Sequence, residues 1–121
     1  MQVKIATTFW QRMRGLLFRP LTWLSTDEAL VIVPCSSIHT FGMSRAIDVA
    51  FVSSDGRVIE SRQNVDPGLL LSRRGSVAVL ERFSISGEAD ALLRSPWYQV
   101  GDAISIGTGK NEETSGHVNA A

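Results

Sequence analysis

The sequence CSSIHTFGMSRAIDVAFV, residues 35–52, contains the only cysteine, one of the two histidines and an aspartate within a run of apolar residues. Its last part, residues 47–52, has the composition of a buried strand. Residues 54–56, Ser-Asp-Gly, predict a hairpin directly after it, because an Asp-Gly pair accommodates the positive φ angles of a tight turn. We therefore expect residues 57–63 to return antiparallel to this strand.

Further strands are indicated by short apolar or alternating runs that are bounded by turn residues. They lie at residues 3–5, 29–33, 76–83 and 103–106. The sequence Val100-Gly101-Asp102 supplies the turn before the last of these strands.

Two short helices are also predicted. Thr8 and Gln11 have the spacing of a capping box, in which each side chain accepts a hydrogen bond from the other residue's backbone N–H. This helix is expected to end before Pro20, since the residue before a proline avoids helical geometry. Its buried stripe would consist of the apolar residues at helical spacing, Phe9, Met13, Leu16 and Leu17. A second helix is expected over residues 86–93.

These elements predict an α+β, mainly β fold, namely a small antiparallel β-barrel or rolled sheet with two short helices. A doubly wound α/β fold is disfavoured, because most of the predicted strands have no crossover helix between them. The length predicts a single globular domain, over residues 1–107. Residues 108–121 contain one bulky apolar residue, and we expect a disordered tail there.

The charge balance limits the classes of partner. Twelve Lys and Arg residues are matched by twelve Asp and Glu residues, so the basic excess on which general nucleic-acid binding depends is absent. Ten of the twelve cations are arginines, which favour planar contacts with carboxylates or phosphates. Arg12, Arg14 and Arg19 are candidate anion-binding residues, and ordinary surface ion pairs are the alternative.

The sequence shows no targeting or membrane-spanning pattern. Residues 1–18 lack an uninterrupted apolar core ahead of a small-residue cleavage site. No stretch reaches the ~20 apolar residues of a membrane span. One cysteine cannot form an internal disulfide, so an oxidising compartment is not required. We therefore expect a cytoplasmic protein.

Two carboxylates interrupt apolar faces of predicted strands. Asp48 shares a face with Ala50 and Val52, and Glu81 shares a face with Val79. A carboxylate in such a position is costly unless it is hydrogen-bonded or paired. Each is therefore either a structural group, held by an arginine or by backbone donors, or a group that binds a ligand or exchanges protons.

His39 is the third candidate for the site, because a neutral imidazole can act near neutral pH. A structural hydrogen bond is the alternative role. Cys35 is four residues away, which in an extended strand is ~13 Å and too far for a thiol–imidazole pair. The two side chains would meet only if this segment were helical. With one cysteine and no paired-cysteine spacing, no zinc site is predicted, and no cofactor is indicated.

Four segments, taken together, resemble one family. They are RMRGLLFRPL at 12–21, IHTFGMSRAIDVAFVSSDGRVI at 38–59, SVAVLE at 76–81 and VGDAISI at 100–106. Their order is similar to that in the domain of unknown function 192 family of bacterial and archaeal proteins. The resemblance implies a small, mainly β domain with a site near the second segment, and it implies no reaction. For some relatives it implies a partner in the cell-envelope machinery.

Three functional hypotheses follow. The leading one is a non-enzymatic binding or accessory module that presents residues 39–48 to a small ligand or a protein partner. The alternative is a small enzyme in which His39, Asp48 and Glu81 perform acid–base chemistry on a small polar substrate. In the third, these residues only stabilise the domain. Convergence of the three side chains on one pocket would favour the enzyme.

Overall fold

The structure, a computed structural model, describes residues 1–85, 94–106 and 115–120. They form nine strands, one α-helix and one short 3₁₀ helix. In chain order these are β1 (Gln2–Ala6), α1 (Phe9–Arg14), the 3₁₀ helix (Leu21–Trp23), β2 (Glu28–Ile32), β3 (Ser37–His39), β4 (Ile47–Ser53), β5 (Val58–Val65), β6 (Leu70–Ser72), β7 (Ser76–Phe83), β8 (Ile104–Ile106) and β9 (Ser115–Ala120).

Seven strands form one sheet in the order β5-β4-β7-β2-β1-β9-β8, and β3 pairs with β6 in a second, small sheet. The predicted mainly β architecture is confirmed. The large sheet is mixed rather than wholly antiparallel, because β1 and β2 run parallel. Parallel neighbours need a crossover connection, and the chain between β1 and β2 supplies one that contains α1 and the 3₁₀ helix.

The hairpin at the centre of the sequence is confirmed, and the barrel is not. β4 and β5 pair antiparallel across the turn at Gly56, which has φ +80°. Among the described strands the large sheet has an open order, with β5 and β8 at its ends. An isolated bridge joins Arg57 to Ala103, so the beginnings of these two end strands lie side by side.

The large sheet separates two apolar clusters. On one side, which we call the tryptophan face, buried side chains pack around Trp97. On the other side, the helix face, α1 and the segment after it lie over the second cluster. Because side chains alternate along a strand, Ala50 and Leu80 point to the tryptophan face, whereas Val49 and Val79 point to the helix face.

Helix α1 begins as predicted and ends early. Thr8 and Gln11 form the reciprocal capping box. The helix stops at Arg14 rather than near Pro20. Gly15 ends it, because its backbone has φ +51° and ψ −126°, which is incompatible with a helix.

The predicted buried stripe of α1 is wrong in its first half. Phe9 and Met13 are 59% and 53% exposed, whereas Leu16 is buried and Leu17 is half-buried. The chain turns at Gly15, so only the residues after it reach the sheet. The apolar side of α1 itself faces the mouth of a cavity that is described below.

Three strands were not predicted. β3 and β6 have three residues each, too few for an alternating pattern to be recognised. β9 lies within residues 108–121, where the sequence predicts a disordered tail, and it pairs with β1 and β8. Such pairing uses backbone groups and requires no apolar side chains. The predicted helix over 86–93 and the rest of the predicted tail lie outside the described residues.

Within residues 1–85 and 94–106, no helix has the length and apolar character needed to cross a bilayer.

Candidate functional site

Glu81 lies in β7 and points to the helix face of the sheet. Its partners in the flanking strands are Leu30 and Val49, which are both buried. Glu81 is itself only 3% exposed, and no described residue donates a hydrogen bond to its carboxylate. This desolvation raises the pKa of Glu81 to about 7.

The Glu81 carboxylate lines a cavity of about 500 Å³. The walls come from α1 and the turn after it, from residues 34–39, and from β7. A volume of this size lies within the range of small-molecule sites. Apolar side chains form much of the lining, and they include Phe9, Met13, Leu17, Ile32, Ile38 and Met43.

Gly15 allows the backbone after α1 to pass close to Glu81. A Cβ atom at Gly15 would stand 3.0 Å from Oε1 of Glu81 and 3.6 Å from Cδ1 of Ile32. Any larger residue would therefore press on the carboxylate. The absence of a side chain at Gly15 keeps this part of the cavity open.

Arg12 contributes a guanidinium group to the same cavity. Its Nη1 donates a hydrogen bond of 3.1 Å to the carbonyl of Pro34, which ties α1 to the segment before β3. Its Nε is buried and has no hydrogen-bond partner among the described residues. Arg12 and Glu81 therefore line one cavity without forming an ion pair with each other.

Cys35 is half-buried in the cavity wall. Its Sγ donates a hydrogen bond of 3.2 Å to the carbonyl of Ser37. Burial raises the pKa of the Cys35 thiol, and the negative charge of Glu81 adds to this, while the Ser37 contact and the Arg12 charge oppose it. A raised pKa keeps the sulfur protonated at neutral pH, and a thiol is a weaker nucleophile than a thiolate.

His39 lies at the exposed end of the cavity. It ends β3, pairs with Leu70 of β6 and lines the cavity together with Glu81. Its ring is stacked on Phe41 with 5.6 Å between ring centroids. The Cys35 thiol donates to the Ser37 carbonyl and not to the imidazole.

Asp48 points to the tryptophan face and does not line this cavity. Arg82 Nε donates to its Oδ2 at 2.9 Å, and both side chains are buried. Its Oδ1 accepts hydrogen bonds from the backbone N–H of Asn64 at 3.0 Å and from Ser84 Oγ at 2.7 Å. Asn64 has φ +56° where the register of β4 and β5 shifts, and this turns its N–H toward Asp48. These are the contacts of a structural carboxylate.

The three sequence candidates therefore do not converge on one pocket. Asp48 pairs with Arg82 across β4 and β7, so the preceding residue, Glu81, points to the opposite side of the sheet. His39 and Glu81 share the cavity, and Asp48 is outside it.

The three candidate arginines do not form one cluster either. Arg12 and Arg14 line the cavity, and Arg14 Nε donates to the Leu17 carbonyl at 3.1 Å. The Arg19 guanidinium lies over the Trp23 ring, 3.9 Å from its centroid, and Arg19 does not line the cavity.

The apolar walls of the cavity are not predicted by the sequence. The spacing of Phe9 and Met13 fits a buried helical stripe and predicts that they belong to the core. The signal that they are not core is Gly15, which follows them closely and ends the helix. In the described part of the chain, no three His, Cys, Asp or Glu side chains are grouped as ligands for a metal ion.

The fold matches two solved proteins. A crystal structure of a protein of unknown function from Novosphingobium aromaticivorans has a TM-score of 0.63 and 27% identity, over 84% of this chain and 71% of that one. A second crystal structure, described as a "putative transcription regulator" from Sinorhizobium meliloti, has a TM-score of 0.59 and 23% identity, over 78% and 75% of the two chains. At that identity the second likeness concerns the fold alone.

Sequence comparison gives the family. A UPF0127 protein from Thermococcus sibiricus is 38% identical over an alignment of 68 residues, and the match covers 51% of this chain and 42% of that protein. The chain thus spans less than half the length of this relative. The model of the domain of unknown function 192, described as "Uncharacterized ACR, COG1430", matches residues 1–86. That match includes α1, the central segment and Glu81, and the chain therefore belongs to the domain of unknown function 192 family.

Proposed function

We propose that this protein is a non-enzymatic binding module for a small, mainly apolar molecule. The ligand would occupy the cavity on the helix face and donate a hydrogen bond from an amine or hydroxyl group to Glu81. The observation that carries the proposal is the buried Glu81 carboxylate, which lines the cavity without a hydrogen-bond donor from the described residues.

The chemistry of the cavity supports this ligand class. An isolated carboxylate in apolar surroundings is unstable unless a donor pairs with it. A ligand amine would make a charge-assisted hydrogen bond there, stronger than a bond between neutral groups. The apolar body of the ligand would contact Phe9, Met13 and Met43, which line the walls. Methionine adapts its shape to a ligand because its side chain is unbranched and flexible.

An acid–base enzyme is less well supported. The His39 ring stacks on Phe41 at the exposed end of the cavity, and Asp48 is satisfied by Arg82 on the other face. The Cys35 thiol donates to a backbone carbonyl. Covalent catalysis, the other route, requires a nucleophile that is hydrogen-bonded to a base. Among the described residues, these contacts do not provide such a pair.

The test is a comparison of three probes with the same six-carbon chain: n-hexylamine, 1-hexanol and hexanoate. Binding is measured by protein NMR chemical shifts on the wild-type chain. The amine and the alcohol are expected to shift resonances of residues that line the cavity, such as Met13 and Met43. Hexanoate is expected to bind at least tenfold more weakly, because its carboxylate cannot donate to Glu81 and would repel it when ionised.

Two variants complete the experiment. E81Q removes the charge at nearly constant volume and is expected to abolish the preference for the amine over hexanoate. E60Q is the matched control, since Glu60 pairs with Arg62 in β5 and does not line the cavity. Equal binding of all three probes, or no binding by any of them to the wild-type chain, would refute the proposal.

A further inference from the structure

A group of large apolar side chains around the cavity mouth is exposed to solvent. We call Phe9, Trp10, Met13, Phe18 and Phe41 the aromatic rim. Trp10 is 76% exposed and Phe18 is 82% exposed, and each of the other three is more than half exposed. Exposed apolar groups of this kind mark interaction surfaces.

The members of the rim are neighbours. Phe9 and Met13 line the cavity, and Trp10 packs edge-on against Phe9 at 5.3 Å between ring centroids. Phe41 is stacked on His39, which lines the other side of the mouth. The segments that carry Phe18 and Phe41 are also close to each other. Leu17 precedes Phe18, and its Cδ1 would lie 3.1 Å from a Cβ atom at Gly42, the residue after Phe41.

Phe18 is not explained by folding. Its backbone has φ +60°, a conformation that is strained for a bulky side chain and is adopted more readily by Asn or Gly. Its ring is 82% exposed, so packing in the core does not offset that strain. A residue that neither packs on the described part of the chain nor suits its backbone is accounted for by a contact with another surface.

Positive charge accompanies the rim. The first 47 residues contain five cations, Lys4, Arg12, Arg14, Arg19 and Arg45, and two carboxylates, Asp27 and Glu28. Since the whole chain is neutral, the remaining residues carry a net charge of three negative units.

These cations lie on the helix face. Arg12 and Arg14 line the cavity, and Lys4 and Arg19 both lie over the Trp23 ring. Arg45 lies over Phe83, which belongs to the cluster of the same face.

We propose that the aromatic rim docks on the surface of an anionic lipid bilayer. Phenylalanine and tryptophan rings enter the boundary between headgroups and acyl chains, while flanking arginines contact the lipid phosphates. The charge distinguishes a membrane from a second copy of the chain as the partner of the rim. The arginines on this face match an anionic surface, whereas a second copy would place the same cations against each other. The rim shares Phe9 and Met13 with the cavity, whereas Trp10, Phe18 and Phe41 do not line it, so binding to vesicles can be tested without any cavity ligand.

The experiment is co-sedimentation of the full chain with vesicles of phosphatidylglycerol and phosphatidylcholine, and with vesicles of phosphatidylcholine alone. The wild-type chain is expected to sediment with the anionic vesicles and much less with the neutral ones, and added NaCl is expected to weaken the binding. Changing Arg14 and Arg45 to glutamine is expected to weaken it roughly fivefold for each residue. R57Q is the control for charge, because Arg57 lies at the β4–β5 hairpin.

The apolar contribution is tested with F18N and W10S. Asparagine suits the backbone of Phe18, so F18N is expected to unfold at the same or a higher temperature and yet bind anionic vesicles several-fold more weakly. V100S is the control, because Val100 is 65% exposed in a turn away from the rim. The proposal is overturned if the wild-type chain ignores both vesicles, binds both equally, or forms a dimer that F18N dissociates without any binding to lipid.

Discussion

Gly15 and Glu81 are in near contact: the position of a Cβ at Gly15 is 3.0 Å from Oε1 of the buried Glu81 carboxylate. Gly15 ends α1, and Glu81 lies in β7. The C-terminal end of α1 therefore lies next to the buried carboxylate that lines the cavity. This relationship connects the fold to the proposed site, and it can be tested by substituting either Gly15 or Glu81.

The first prediction concerns G15A. Alanine at φ +51° is strained by about 1–3 kcal/mol, and its Cβ would also press on Glu81. We expect G15A to lower the free energy of unfolding, measured with urea, by more than G68A does. Gly68 is the matched control, because its φ is +86° and a Cβ there meets no atom within 4 Å. Equal losses in the two variants would contradict the close approach to Glu81.

The second prediction is a pH dependence of stability. Glu81 has a pKa of about 7 in the folded protein, above its ordinary value of 4.5, so the folded state binds the proton more tightly than the unfolded state does. Its contribution to the free energy of unfolding is therefore highest below about pH 4.5 and falls as pH rises to about 7. The loss is about 3 kcal/mol at most.

The measurement for this second prediction is urea unfolding of the wild-type chain and of E81Q at several pH values. The difference between them cancels the groups that titrate independently of Glu81, and the raised pKa of Cys35 keeps its thiol protonated across this pH range. We expect E81Q to become more stable relative to the wild-type chain between about pH 5 and pH 7. A difference that is independent of pH would show that the carboxylate is solvated or paired.

The third prediction separates Asp48 from the cavity. D48N leaves the buried Arg82 guanidinium without its charge partner, and breaking a buried pair in this way costs about 3–5 kcal/mol. Because Asp48 is on the other face of the sheet, binding of hexylamine by the folded variant is expected to be unchanged. A loss of stability below about 1 kcal/mol, as for a surface pair, would refute the structural role of Asp48.

The fourth prediction uses Cys35 as a reporter. Burial and the Glu81 charge raise the pKa of this thiol, while Arg12 lowers it. Reaction with 5,5′-dithiobis(2-nitrobenzoate) at neutral pH is therefore expected to be slower than for an exposed cysteine. We expect E81Q to accelerate the reaction and R12Q to slow it, with E60Q unchanged. Identical rates in E81Q and R12Q would show that neither charge acts on the thiol.

The parts of the fold that follow from local rules were predictable from sequence. The Asp55-Gly56 pair suits a tight turn with positive φ at Gly56, and an apolar run of strand length precedes it, so the β4–β5 hairpin could be placed. The capping box of α1 depends on two residues three positions apart. The parallel pairing of β1 and β2 depends on where the chain between them crosses the sheet, and no local pattern records that.

Individual residues of the site could be predicted from the sequence, but their arrangement in space could not. Alternation identified Asp48 and Glu81 as carboxylates on apolar faces. Whether they meet depends on the register of β4 and β7, which sets Asp48 opposite Arg82 and Val49 opposite Glu81. A register shifted by one residue would place Asp48 and Glu81 on the same face of the sheet. The sequence alone does not specify the register to within one residue.

The proposed binding site requires that Glu81 is a buried acid without a hydrogen-bond donor among the described residues and that a ligand can reach it. The direct measurement is a carbon-detected NMR titration of the Glu81 side-chain carboxyl, with and without saturating n-hexylamine. We predict a pKa near 7 in the free protein and a clear decrease when the amine is bound, because the cation stabilises the carboxylate. A pKa near 4.5 that hexylamine does not move would contradict both the buried state of Glu81 and its role in binding.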